Sequence, residues 1–205
     1  RFLAGKGPRL DVAARILRGT LQRPAITGCF ALHEWAMVFR QTQDQVRHAQ
    51  LPLRLTPDEI ASTVESIGLR CTHIDAYRFF TDDAIPLNAV EPTRASQHLL
   101  EQPGCLHAAM DLYKMTAWFQ PLTSSDLLLD CFENAAMARE LDMRASPYDV
   151  STFGLEPIKV ETPEGRLEYA AAQAELMVCT DPLRRRLLGE VEALLSAHER
   201  VPSPA

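Results

Sequence analysis

No stretch of this chain approaches the roughly 18 consecutive apolar residues that a membrane-spanning helix requires. Its opening segment, with Arg1, Lys6, Arg9, Arg15 and Arg18 scattered among apolar positions, does not make a signal peptide. No membrane partner is expected. Positive charge is also short: 21 Lys and Arg stand against 27 Asp and Glu, for a net −6. That balance argues against non-specific adhesion to a phosphate backbone. The densest basic run, Leu183-Arg184-Arg185-Arg186-Leu187, falls in an expected helix and reads as a solvated face. The cysteines (Cys29, Cys71, Cys105, Cys131 and Cys179) are odd in number and irregular in spacing, so they form neither a CxxC metal pattern nor a secreted disulfide framework. They are expected to be reduced core thiols of a cytoplasmic protein. Also missing are GxGxxG, the P-loop, GxSxG and HExxH, which removes dinucleotide cofactors and serine-hydrolase chemistry.

What remains is ordinary for a globular protein with a real core: 205 residues, 46% hydrophobic and 23% charged. The fold class expected is mainly α with a few short β-strands (α+β), a single compact helical domain over 28–198. A helical segment at 1–27, truncated at its start, precedes it, and a frayed tail at 199–205 follows. Helices are expected at Asp11–Leu21, Gly28–Arg40 (where Val38-Phe39 would also suit a strand), from Thr56-Pro57-Asp58-Glu59 to Ile67, and over Thr93–Gln102. Further helices should run from the capping signal Thr123-Ser124-Ser125-Asp126 to Met143, over Pro163–Cys179 and over Pro182–Ala197. Short strands are expected at Leu51–Leu55, Leu69–Ile74 and Ile158–Val160, and a long loop at Thr81–Pro92.

The chain is organised around Cys105–Gln120, CLHAAMDLYKMTAWFQ, which lies between Pro103-Gly104 and Pro121. On a helix His107, Asp111, Lys114 and Trp118 form one narrow line, and nearly everything off that line is apolar. A largely buried helix with an ionisable stripe needs partners for its charges or a solvent-filled cleft, because an unpaired buried charge costs several kcal/mol.

Three separate segments each set a histidine beside an acid within apolar sequence: His33-Glu34, His73-x-Asp75 and His107-x-x-x-Asp111. If they converge, their imidazoles and carboxylates suit a divalent transition metal such as Zn, Fe or Mn. The same groups also work without metal, with Asp111 or Asp75 activating water and His107, His73 or Lys114 serving the leaving group. The structural alternative is that each histidine hydrogen-bonds its own local acid. Arg144 is a second candidate, able to fork onto Asp142, Asp149 or an anionic ligand. Trp35, Tyr113, Trp118 and Tyr148 are candidates to stack a planar ligand, with core filling as their other use.

Leu32-His33-Glu34-Trp35-Ala36-Met37-Val38-Phe39-Arg40, Gln102-Pro103-Gly104-Cys105-Leu106-His107 and Asp111-Leu112-Tyr113-Lys114 stand out as a set of distinctive peptides. Together with Glu140–Asp149 and Glu161–Arg166, they resemble a family of actinobacterial proteins carried under the name 3-methyladenine DNA glycosylase. The resemblance runs from about Gly28 to Leu195. It implies a DNA-repair hydrolase that cleaves the N-glycosidic bond of an alkylated purine. Its partner would then be a nucleobase or DNA lesion. The residues themselves leave two alternatives: a metal-dependent oxygenase or hydrolase of a small molecule, and a non-catalytic binding module.

Overall fold

The computed structural model describes residues 5–200, and they are mostly helical. The helices are α1 (Gly7–Gln22), α2 (Leu32–Ala36), α3 (Pro57–Ile67), α4 (Ile74–Tyr77), α5 (Gln97–Leu100), α6 (Leu106–Trp118), α7 (Ser125–Ala145) and α8 (Pro163–Glu199). Single 3₁₀ turns occur at Ile85–Leu87 and Ser151–Phe153. Among the described residues no helix is long and apolar enough to cross a membrane. The expected frayed tail lies, from residue 201 on, outside the described residues.

Several helix starts form as their local chemistry dictates. Thr56 and Glu59 close a reciprocal capping box ahead of Pro57, and the Ser124 and Thr162 hydroxyls accept from the backbone N–H groups of Leu127 and Gly165. Gly165 is required where it stands, because a Cβ there would lie 2.0 Å from the Lys159 carbonyl oxygen.

Other expectations need correction. The short strands do not form; among the described residues there are only two isolated bridges, Leu53 with Tyr148 and Leu69 with Asn88. The first cannot lengthen because Pro52 and Pro147 have no N–H to donate. At the second, the Asn88 side chain takes both backbone groups of Cys71, at 2.8 and 2.9 Å, where a ladder would need a second strand. Gly28–Arg40 makes only the short α2, since Phe30, Ala31 and Arg40 have φ of 46°, 53° and 56°. The Thr93–Gln102 helix shrinks to the four residues of α5. The two helices expected after Thr162 are one of 37 residues with Pro182 inside it. Buried Thr180 holds this junction through its hydroxyl, which donates to Leu176 O and meets Asn134 Oδ1 of α7 at 2.9 Å.

At about 1.5 Å per residue α8 extends roughly 55 Å and serves two core regions. In one, Leu10 and Leu17 of α1 meet Leu112, Leu127, Leu187 and Val191. In the other, Trp35, Ile60, Ala109, Ala138 and Tyr169 pack together. The basic run on α8 is not wholly solvated, for Arg184 is buried while Arg185 and Arg186 pair outside with Asp181 and Asp130. All five cysteines are free, and Cys179 is exposed rather than in the core.

Trp35 ties α2 to the end of α7, its indole Nε1 donating to Ala145 O at 2.9 Å from a fully buried position. Trp35→Ala should therefore cost about 3–5 kcal/mol in denaturant unfolding. Leu99→Ala, at a mostly exposed position, should stay within about 0.5 kcal/mol of the parent.

Candidate metal centre

Two buried acid–imidazole clusters meet at α6. The first joins His33 and Glu34 of α2 to Asp142 of α7. The second joins His73, the N-cap of α4, to Glu101 at the end of α5 and Asp111 of α6. Within each set one ligand-type atom per residue lies within 4.8 Å of the others. His107 stands between the sets, its ring 4.6 Å from that of His33 and 5.4 Å from that of His73.

Both aspartates are held in the same manner. The outer oxygen of Asp142, Oδ2, accepts from Arg139 Nη1 at 2.8 Å, and the outer oxygen of Asp111, Oδ1, pairs with Lys114 Nζ at 2.7 Å. Each cation sits one helical turn from its aspartate. The inner oxygens behave differently. Asp142 Oδ1 lies 2.9 Å from His33 Nε2 and Asp111 Oδ2 lies 3.4 Å from His73 Nε2, yet neither contact has the alignment of a hydrogen bond. All four atoms are buried and without a hydrogen-bond partner.

Ligands bound to a common ion at about 2.0–2.2 Å are separated from one another by roughly 3.0–3.5 Å, and their lone pairs aim at the ion rather than at each other. The separations of 2.9 and 3.4 Å between inner oxygens and imidazole nitrogens lie close to that range, and Glu34 Oε1 stands at 3.9 Å from His33 Nε2. Buried donors and acceptors left unpaired otherwise cost about 1–3 kcal/mol each.

Surrounding groups orient these side chains. Asp75 is not in either set; it receives Arg94 and Lys114, the latter at 3.1 Å, and through Lys114 it steadies Asp111. Burial alone would raise its carboxyl, but Arg94 and Lys114 hold it down at about 2. Gln97 Nε2 donates to Glu101 Oε1, and the backbone N–H of Asp75 donates to His73 Nδ1, leaving Nε2 toward the acids. Burial is the largest influence on all three imidazoles and opposes their protonation. Asp111 and Glu101 overcome it at His73, raised to about 9, and Asp142 overcomes it at His33, also raised. His107, flanked by both other rings, is lowered to about 3 and stays neutral. Asp142 lies below the carboxylate range despite its burial, because His33 faces it, whereas burial and the nearby Asp142 raise Glu34.

Two cavities adjoin the clusters. One, of about 20 Å³, is lined by His33, His107, Cys29, Cys71, Cys105 and Tyr169 and has room for a single water. The other, of about 170 Å³, opens beside Glu34 and Arg139 and includes Tyr148.

Of the residues expected from the sequence, the fold thus brings together His33, Glu34, His73, His107 and Asp111, with Lys114 and Asp75 beside them. Tyr148 lines the larger cavity, and the remaining candidates lie elsewhere. Trp35 is enclosed in the core, and Tyr113 packs edge-on against Phe132 at the surface. Trp118 sits under Lys114 and Arg9 at the second core region, because the pitch of α6 carries it past the acids. Arg144 reaches neither Asp142 nor Asp149; it donates to Glu156 O and pairs with Glu168.

The sequence reading missed Glu101, Asp142 and Arg139. Asp142 had a signal, an acid between Leu141 and Met143 on the apolar side of a helix and one turn after an arginine. Glu101 had only its four-residue spacing from Gln97. Comparison with protein-family models, characterised proteins and solved structures finds no match for the chain.

The unequal settings of the two acids of the first set can be read out by substitution in metal-free protein. Asp142→Asn removes the charge that meets both His33 and Arg139 and should lower stability by about 1–3 kcal/mol. Glu34→Gln removes a charge that burial and Asp142 oppose, so its melting temperature should match or exceed the parent's. A loss in Glu34→Gln as large as that in Asp142→Asn would contradict this electrostatic assignment.

Proposed function

We propose that the chain is a metal-dependent hydrolase of a small molecule. Divalent transition-metal ions are held by His33, Glu34 and Asp142 and by His73, Glu101 and Asp111, with neutral His107 between the two sets. The observation that carries this reading is the pair of inner aspartate oxygens, buried, unbonded and within 2.9 and 3.4 Å of imidazole nitrogens. Purely structural histidine–acid pairs satisfy themselves with in-line hydrogen bonds. These pairs do so only on their outer sides, toward Arg139 and Lys114.

A divalent ion held by these residues would supply Lewis acidity, lowering the pKa of a bound water toward neutrality and polarising the bond to be cleaved. The small cavity against His33 and His107 supplies a place for that water. His107 contributes an uncharged imidazole with a free lone pair for a ligand role, since burial and its two neighbours keep it from charging. Lys114 and Arg139 fix the acids from outside the centre. Four carboxylates and three imidazoles suit Zn, Mn or Fe. Hydrolysis is also the reaction class implied by the resemblance to the glycosylase-named family. The difference lies in the nucleophile, which a bound ion would activate in place of a carboxylate alone.

Reconstitution with Zn²⁺, Mn²⁺ or Fe²⁺ followed by elemental analysis tests the reading. Two ions per chain are expected, one lost in His33→Ala and the other in His73→Ala, with hydrolysis of a panel of small esters and phosphoesters declining in step. A folded protein that takes up no metal, or whose metal content ignores both substitutions, would refute it and favour a binding module.

A further inference from the structure

The larger cavity carries information about what enters the proposed centre. Its walls are mainly apolar, with Leu51, Met143, Tyr148 and Phe153 facing Glu34 and Arg139. Arg139 spends only Nη1 on protein acceptors, Glu34 at 3.2 Å and Asp142 at 2.8 Å. Among the described residues no acceptor meets its Nε or Nη2. The side chain is 48% exposed and lines the cavity, with Nε and Nη2 left over for an added acceptor.

Charge balance points the same way. A divalent ion between ionised Glu34 and Asp142 neutralises both, and Arg139 then leaves one positive charge over. In a partly desolvated site that surplus favours an incoming anion. A guanidinium presents parallel N–H groups at the spacing of two carboxylate oxygens.

We infer that the substrate is a small monocarboxylate with a compact apolar body. The body lies against Tyr148 and Phe153, and the carboxylate docks on the free edge of Arg139, with the bond to be cleaved turned toward Glu34 and the metal. This inference rests on the metal-hydrolase reading but is separable from it. Arg139 is here a binding residue as well as a support for two metal ligands.

Benzoate and its neutral isostere benzamide serve as probes on the metal-loaded protein, with affinities from calorimetry or NMR titration. Benzoate should bind at least about tenfold more tightly, as a charge-assisted fork provides. Arg139→Gln should shrink that preference to less than about threefold, and Arg139→Lys should retain part of it, since the charge survives without the fork. Phe153→Ala should weaken both probes alike. Because Arg139→Gln touches two metal ligands, its metal content is measured in the same samples; if it loses metal, Arg139→Lys decides. A loaded parent that binds both probes equally overturns the inference while leaving the metal reading intact. A preference undiminished in both arginine variants overturns the assignment to Arg139. Failure of the parent to take up metal at all strikes the underlying reading instead.

Discussion

Everything in this molecule is arranged around the burial of carboxylates beside imidazoles. Removing such a group from water costs several kcal/mol even after relaxation, and a net excess of acids cannot be neutralised by histidine alone. The fold answers this by tying the outer oxygen of each aspartate to a cation on its own helix. Arg139 serves Asp142 and Lys114 serves Asp111. The inner oxygens then have only imidazole nitrogens before them. A site so built leaves its inner oxygens, and the imidazole nitrogens that face them, without aligned hydrogen bonds.

The scaffold serves that inner side from several directions. Helix α6 contributes His107 and Asp111 one turn apart, and α7 packs along it so that Asp142 arrives on the same flank. The short α2 is held to the end of α7 by the Trp35 indole, which sets His33 against Asp142. His73 and Glu101 come from segments with little regular structure, fixed by Asp75 N–H and Gln97 respectively. The long α8 contributes no ligand; it supplies apolar surface to both core regions and, through Tyr169, a wall of the small cavity.

The two sets differ in their relation to solvent. His73 and Glu101 are almost fully enclosed, whereas Glu34 and Arg139 border the larger cavity. Only the first set therefore has a side open to a cavity large enough for a small molecule. His107, neutral because any charge would stand between two raised imidazoles, divides the two environments without adding to either charge. Of the aromatic residues that suggested base stacking, only Tyr148 borders this space. Trp35 and Trp118 are occupied in packing, and Tyr113 faces outward.

Much of this was legible in the chain itself. The caps at Thr56, Ser124 and Thr162, the bounded apolar helix with its ionisable line, and three histidines each beside an acid all follow from local rules of spacing and capping. Those rules act within a few residues, so residue order alone determined them. What only the tertiary structure decided was which distant groups complete each set. Asp142 and Glu101 joined because helix packing and loop closure brought them in, while Trp118 and Arg144 were carried away by helical pitch. Short strands failed for lack of a partner able to donate, and Pro182 stayed within one helix because Thr180 and α7 hold the junction. Such outcomes depend on contacts across tens of residues, where burial outweighs local preference.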